Sequence, residues 1–115
     1  MVIYPYNGQT GVPTSFDGSR EGPMPPAPST GWPSGSPITV YARNIALTSH
    51  TVTVDGDTTD MPQVYLTSAD SNFLRDDIMI YTNEPFASGT TYRVTITGTG
   101  FNGQSIDRSW TFTTR

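Results

Sequence analysis

Apolar and polar residues alternate singly along the last quarter of the chain. Tyr92, Val94 and Ile96 alternate with Arg93, Thr95 and Thr97, and Ile106, Trp110 and Phe112 alternate with Asp107, Ser109, Thr111 and Thr113. A period of two is the signature of a strand with one buried face. The two runs flank Asn102-Gly103 and its glycine neighbours, so Thr90 to Thr114 reads as a β-hairpin whose apolar face closes the core. Upstream the same pattern recurs in shorter pieces. Ile38, Val40 and Ala42 alternate with Thr39, Tyr41 and Arg43. Then come Thr51–Val54, Val64–Leu66 and Ile78–Tyr81, punctuated by Asp55-Gly56, Pro62, Asn83-Glu84-Pro85 and Ser88-Gly89. With a β-prone segment at Val2–Tyr6, about seven short strands are expected, which is the count of an antiparallel Greek-key sandwich. No stretch sustains helical periodicity; Ser68–Asp77 has room for one helical turn inside a loop.

One region breaks the pattern. Seven of the ten prolines fall between Pro13 and Pro37, with Gly18, Gly22, Gly31 and Gly35 among them. Proline has no N–H to give a ladder, so residues 11–37 cannot supply central strands. They read as a long, partly polyproline-II arm that lies over the sandwich or links it, pinned by Phe16 and Trp32. The 115 residues make a single domain, 1–115, with the arm as part of it.

Composition narrows the function classes. The net charge is −4, there is no lysine, and the six arginines are scattered, so the basic stripe of a nucleic-acid binder is missing. No apolar run approaches the ~20 residues that span a bilayer, and none opens the chain as a signal peptide. The chain is therefore read as cytoplasmic or as a module of a longer, secreted protein. The absence of cysteine removes disulfides and thiolate chemistry.

Candidate chemistry is sparse. His50, the only histidine, has neither a second histidine nor a cysteine to share a transition metal, and no Gly-x-Ser-x-Gly elbow accompanies it. It is read as a surface or strand-end histidine. Asp55, Asp57 and Asp60 share one short loop, and oxygen-rich loops suit calcium. The glycine at position 6 and glutamate at position 12 of an EF-hand are absent, and aspartates also favour turns. Asp70, Asp76 and Asp77 form a second acidic cluster. Adjacent Asp76 and Asp77 face opposite sides of an extended chain, which does not suit paired-carboxylate hydrolysis. Aromatic residues are more numerous than a small core needs. Trp32, Tyr41 and Tyr81 are the candidates for stacking on sugars, since Tyr41 and Tyr81 lie out of phase with the aliphatic face of their strands. For Trp32 the alternative is a plug that holds the arm down.

The two ends of the chain resemble a known family. Pro85-Phe86-Ala87-Ser88-Gly89-Thr90-Thr91-Tyr92 and the ending Trp110-Thr111-Phe112-Thr113-Thr114 are similar to the turn and terminal strand of bacterial Ig-like domains of the SbsA type (Big_5). Tyr4 to Phe16 resembles the opening of those domains, most of all the version that follows CAP (SCP-like) domains in secreted bacterial proteins. Such modules carry a Pro-rich connection, matched here by Glu21 to Pro37. Phe86 stands where a leucine-like residue usually follows the proline, and the hairpin connection departs from the family's usual Asp-x-x-Gly-Asn. The resemblance implies an Ig-like sandwich with structural motifs and no catalytic residue. The expected role is a non-enzymatic accessory or spacer in an extracellular or cell-surface protein, with a CAP or other neighbouring domain as partner. The alternative is a module that binds cell-wall glycan, with or without calcium.

Overall fold

The computed structural model describes residues 1–22, 24–70 and 74–115. Eight strands form two four-stranded sheets: β1 (Val2–Tyr4), β2 (Gln9–Val12), β3 (Ile38–Tyr41), β4 (Ala46–Val54), β5 (Gln63–Leu66), β6 (Asp77–Thr82), β7 (Thr91–Thr99) and β8 (Ser105–Thr114). One sheet has the order β1-β3-β6-β5 and the other β2-β8-β7-β4. Of the sequential pairs, β5–β6 and β7–β8 are hairpins, while β3→β4, β4→β5 and β6→β7 cross between the sheets. This is the Greek-key order of the immunoglobulin sandwich. All pairings are antiparallel except β2 with β8, which is parallel.

The β7–β8 hairpin forms where the alternation places it, with Val94 opposite Trp110 and Tyr92 opposite Phe112. Residues 100–104 connect its strands, closed by Gly100 N–H donating to Gln104 O at 2.8 Å. Asn102 and Gly103 both take positive φ, 56° and 71°, a conformation that asparagine tolerates and glycine adopts freely. Phe86, Tyr92 and Phe112 gather into a ring cluster with centroids 4.5–5.8 Å apart. The Tyr92 hydroxyl accepts the Ala87 N–H at 2.7 Å, the tyrosine-corner contact that ties the start of this strand to the preceding turn. From the facing sheet, Ile38, Val40, Ile78 and Ile80 close the same core. The indole N–H of Trp110 donates to Pro5 O at 2.9 Å, latching β8 to the point where the chain leaves β1 for the other sheet.

Several expectations need correction. There are eight strands rather than seven, because Gln9–Val12 lies alongside β8; the arm's first two residues, Gly11 and Val12, belong to that strand. Its short parallel pairing has no alternation of its own to announce it, and Val12 is the one side chain it buries. The first strand ends at Tyr4, before Pro5, and β4 begins at Ala46, so His50 lies inside a strand. Asp55-Gly56 turns the chain, with Asp57 N–H donating to Val54 O, but β4 pairs with β7 and no hairpin results. In the Ser68–Asp77 loop, Ser68–Asp70 is a turn, and residues 71–73 lie outside the described residues.

Candidate functional site

The side chains of sheet β1-β3-β6-β5 that alternate away from the core are not all polar. Across the ladder they run Tyr4, Thr39, Met79 and Leu66 in one row, Val2, Tyr41 and Asp77 in the next, and Val64 opposite Tyr81. The Pro-rich arm divides this face in two. Over β5 and β6 it forms a third layer. Phe16 and Ser34 exchange N–H···O bonds of 2.9 Å, Gly35 N–H donates to Thr82 O at 3.0 Å, and the Tyr81 hydroxyl donates to Pro26 O. Trp32 stacks on Tyr81 at 5.8 Å between centroids, with Phe16 edge-on to its other side. Leu66, Leu74 and Tyr81 are buried beneath this layer, and Val64 and Met79 pack against them. Gly18 lies so close under the indole that a Cβ there would meet the Trp32 ring at 2.5 Å. The Trp32 N–H has no partner among the described residues, so its ring, not its polar edge, holds the arm.

Two of the three aromatic candidates are therefore absorbed by structure. Tyr81 does face away from the inter-sheet core, but it is completely buried, because the arm covers it. That corrects its reading as a surface sugar platform. Burial raises its phenol above the ordinary tyrosine range, and does the same for Tyr65. Trp32 is spent on the same contact. The β1–β3 half of the face is left bare: Tyr41 is 50% exposed, Tyr4 42% and Val2 67%. Val2 lies directly opposite Tyr41, and Tyr4 sits diagonal to it across Thr39.

The open side of the sandwich, where β4 and β5 are both edge strands, holds the polar side chains with the most bonds. His50 Nδ1 lies 2.7 Å from Gln63 Oε1, and its ring stacks on Tyr65 at 4.3 Å. The Gln63 amide N–H groups are given to Asp60 Oδ1 and Met61 O, both at 2.8 Å, so Oε1 is the acceptor and His50 carries its proton on Nδ1. Asp60 Oδ1 also accepts the outward Val52 N–H at 3.0 Å, while Met61 N–H donates to Val52 O at 2.8 Å. The single histidine is thus a clasp between the two sheets, and the 60–63 segment caps the free edge of β4. Sequence position alone hides this, since the partners come from a different sheet.

The three loop aspartates do not converge. Asp55 pairs with Arg93 at 3.0 Å, Asp60 is committed to Val52 and Gln63, and Asp57 is exposed. Asp76 accepts from Asn44 N–H, Asp77 from Arg75 N–H, and Asp70 from Thr67 N–H. Among the described residues no three His, Asp or Glu side chains come together to hold a metal ion. Of the three calcium candidates, Asp55 is thus engaged by Arg93 and Asp60 by Val52 and Gln63, while Asp57 faces solvent. A groove of about 320 Å³ runs between the arm and the segment before β5, lined by Ser29, Thr30, Met61, Pro62, Asn83 and Glu84. Asn83 partly spans it, giving its amide to Ser29 Oγ and accepting from Thr30 on its carbonyl. Among the described residues no helix is long and apolar enough to cross a membrane.

Comparison of the chain with protein-family models, with curated proteins and with solved structures returns no match.

Proposed function

We propose that this chain is a non-enzymatic Ig-like accessory or spacer module of a secreted or cell-surface bacterial protein, of the SbsA-type kind that accompanies CAP domains. The observation that carries the reading is the placement of its two ends. Val2 pairs with Tyr41 at the end of the sandwich where Arg43 lies over the Phe101 ring, 4.4 Å away, joining the β3–β4 and β7–β8 connections. Arg115 lies at the opposite end, where its N–H donates to Val12 O and its carbonyl accepts from Gly89 N–H. The ten residues of β8 span about 30 Å at ~3.3 Å per residue, so domains joined at the two ends are held apart by the length of the sandwich. The Trp110–Pro5 latch and the tyrosine corner stiffen that separation. His50 is engaged in a structural clasp, which supports the non-enzymatic part of the reading.

The test is the polypeptide in which the module is made. A secretory signal and a further folded domain in the same reading frame support the proposal. A free-standing frame with neither overturns it. So does hydrolysis of a glycan or ester panel by the purified protein that is lost on His50→Ala.

A further inference from the structure

The arm covers one half of an outward sheet face and stops short of the other. We propose that the bare half, Tyr4, Thr39 and Tyr41 with Val2 and Asp77 at its border, is a binding platform for a neutral polysaccharide chain. This does not rest on the spacer reading.

Three features of the patch select that ligand. The first is its chemistry. Tyr4 and Tyr41 occupy diagonal positions of the β1–β3 ladder, about 7–8 Å apart, with Thr39 opposite Tyr4. Two half-exposed rings with polar groups between and beside them offer apolar area for the C–H faces of sugar rings and hydrogen bonds for their edges. Asp77 lies directly opposite Tyr41; one of its carboxylate oxygens accepts from Arg75 N–H, and among the described residues the other has no partner and can take a sugar hydroxyl.

The second feature is size. Two half-exposed tyrosines and a valine present roughly 300 Å² of surface. A stable protein interface needs about 800 Å² from each partner, so neither a second copy nor a folded protein is satisfied by this patch, whereas a short run of sugar rings is. The third is charge. The patch carries the Asp77 carboxylate, on a chain of net charge −4, which disfavours phosphorylated or sulfated ligands. The platform is also rigid, since β1, β3 and β6 are hydrogen-bonded side by side beneath it, so little ordering is needed on binding.

The experiment is titration of the isotopically labelled protein with cellopentaose, chitopentaose, xylopentaose and mannopentaose, read from backbone amide shifts. Saturable shifts confined to residues 2–4, 39–41 and 77–79 are expected with at least one of the four sugars. Tyr41→Ala and Tyr4→Ala should each weaken that binding about tenfold or more, while Val54→Ala, exposed on the other sheet, leaves it unchanged. Both tyrosines are on the surface, so the variants are expected to retain the dispersed spectrum of the folded protein. Absence of saturable shifts with all four sugars overturns the proposal. Binding that survives both tyrosine variants, or that maps elsewhere, overturns it equally. Concentration-dependent shifts of these same amides without sugar assign the patch to a second copy and also overturn it.

Discussion

The described residues form two hydrophobic clusters that are closed by different means. Between the sheets, Val12, Ile38, Val40, Val52, Ile78, Ile80, Val94, Ile96 and the Phe86, Tyr92, Trp110 and Phe112 rings are enclosed by strands on both sides. Beneath the arm, Leu66, Leu74 and Tyr81 are enclosed by a sheet on one side and on the other by a segment that cannot pair continuously, because it is rich in proline. In the first cluster every backbone but that of Phe86 is held in a strand ladder. In the second the lid, held together by its own Phe16–Ser34 bridge, is fixed to the sheet at a few points: the Gly35–Thr82 bond, the Tyr81–Pro26 bond and the Trp32–Tyr81 stack. Loss of one side chain should therefore disrupt the whole fold in the first case and the lid alone in the second.

Trp110→Ala tests the first half of that statement. It empties the inter-sheet core and deprives Pro5 O of its donor, and a buried tryptophan truncation costs about 3–5 kcal/mol. Chemical denaturation should show a single transition moved by that amount, with arm and sheets lost together. Trp32→Ala is expected to cost about 2 kcal/mol, since the ring is partly exposed and its lid can relax. Its signature is limited proteolysis: new cleavage within residues 18–33 while β7 and β8 stay protected. If arm and sheets lose protection together, the two clusters are one cooperative unit and the contrast fails. Trp32→Phe keeps the stack and removes a buried N–H without a partner, a defect of about 1–3 kcal/mol, so it should fall well short of the alanine variant.

The same contrast decides what could be read from residues alone. The inter-sheet core was legible because burial there follows the strand period: Tyr92, Val94, Ile96, Trp110 and Phe112 announce it without knowledge of their partners. The arm's cluster is built from residues out of phase with that period. Tyr81, Met79 and Leu66 look like solvent-facing positions until something covers them, and the cover lies far off in sequence, 55 residues away for the Tyr81–Pro26 bond. The parallel β2 and the His50 clasp escape for the same reason, since each depends on a partner brought by topology. The bare tyrosine patch was half legible: the phase of Tyr41 marks it as outward, but only the strand register brings Tyr4 beside it.

Alkaline titration separates the clusters more gently. Burial raises the Tyr81 phenol beneath the arm and the Tyr65 phenol on the open side of the main core. Folding thus favours the neutral form, and the associated stability is intact below the ordinary tyrosine value of about 10. It is lost as pH climbs through the raised folded values. The tyrosinate absorbance of Tyr65 and Tyr81 should appear above the ordinary tyrosine value. In Trp32→Ala the Tyr81 ionisation should shift down toward the ordinary value while the Tyr65 ionisation stays. A common shift of both would mean that the arm supports the main core as well.

The smallest expected effect concerns the other place where a loop takes over from a strand. At Val52 the 60–61 segment does for the β4 edge what a neighbouring strand would do, with Asp60 taking the N–H and Met61 giving its own to the carbonyl. An edge with free N–H and C=O groups is a template for pairing with another chain, and β4 has no lysine or proline to guard it. Asp60→Ala removes one cap acceptor and leaves Gln63 with a single partner for its amide. Because the site is exposed and water can replace the lost bonds, the cost in stability should be about 1 kcal/mol or less. The larger consequence is in association. Sedimentation of the variant should show a concentration-dependent dimer absent from the parent. If Asp60→Ala stays monomeric over the same range, the Met61 contact and the bulge between Leu47 and Ser49 protect this edge without the carboxylate.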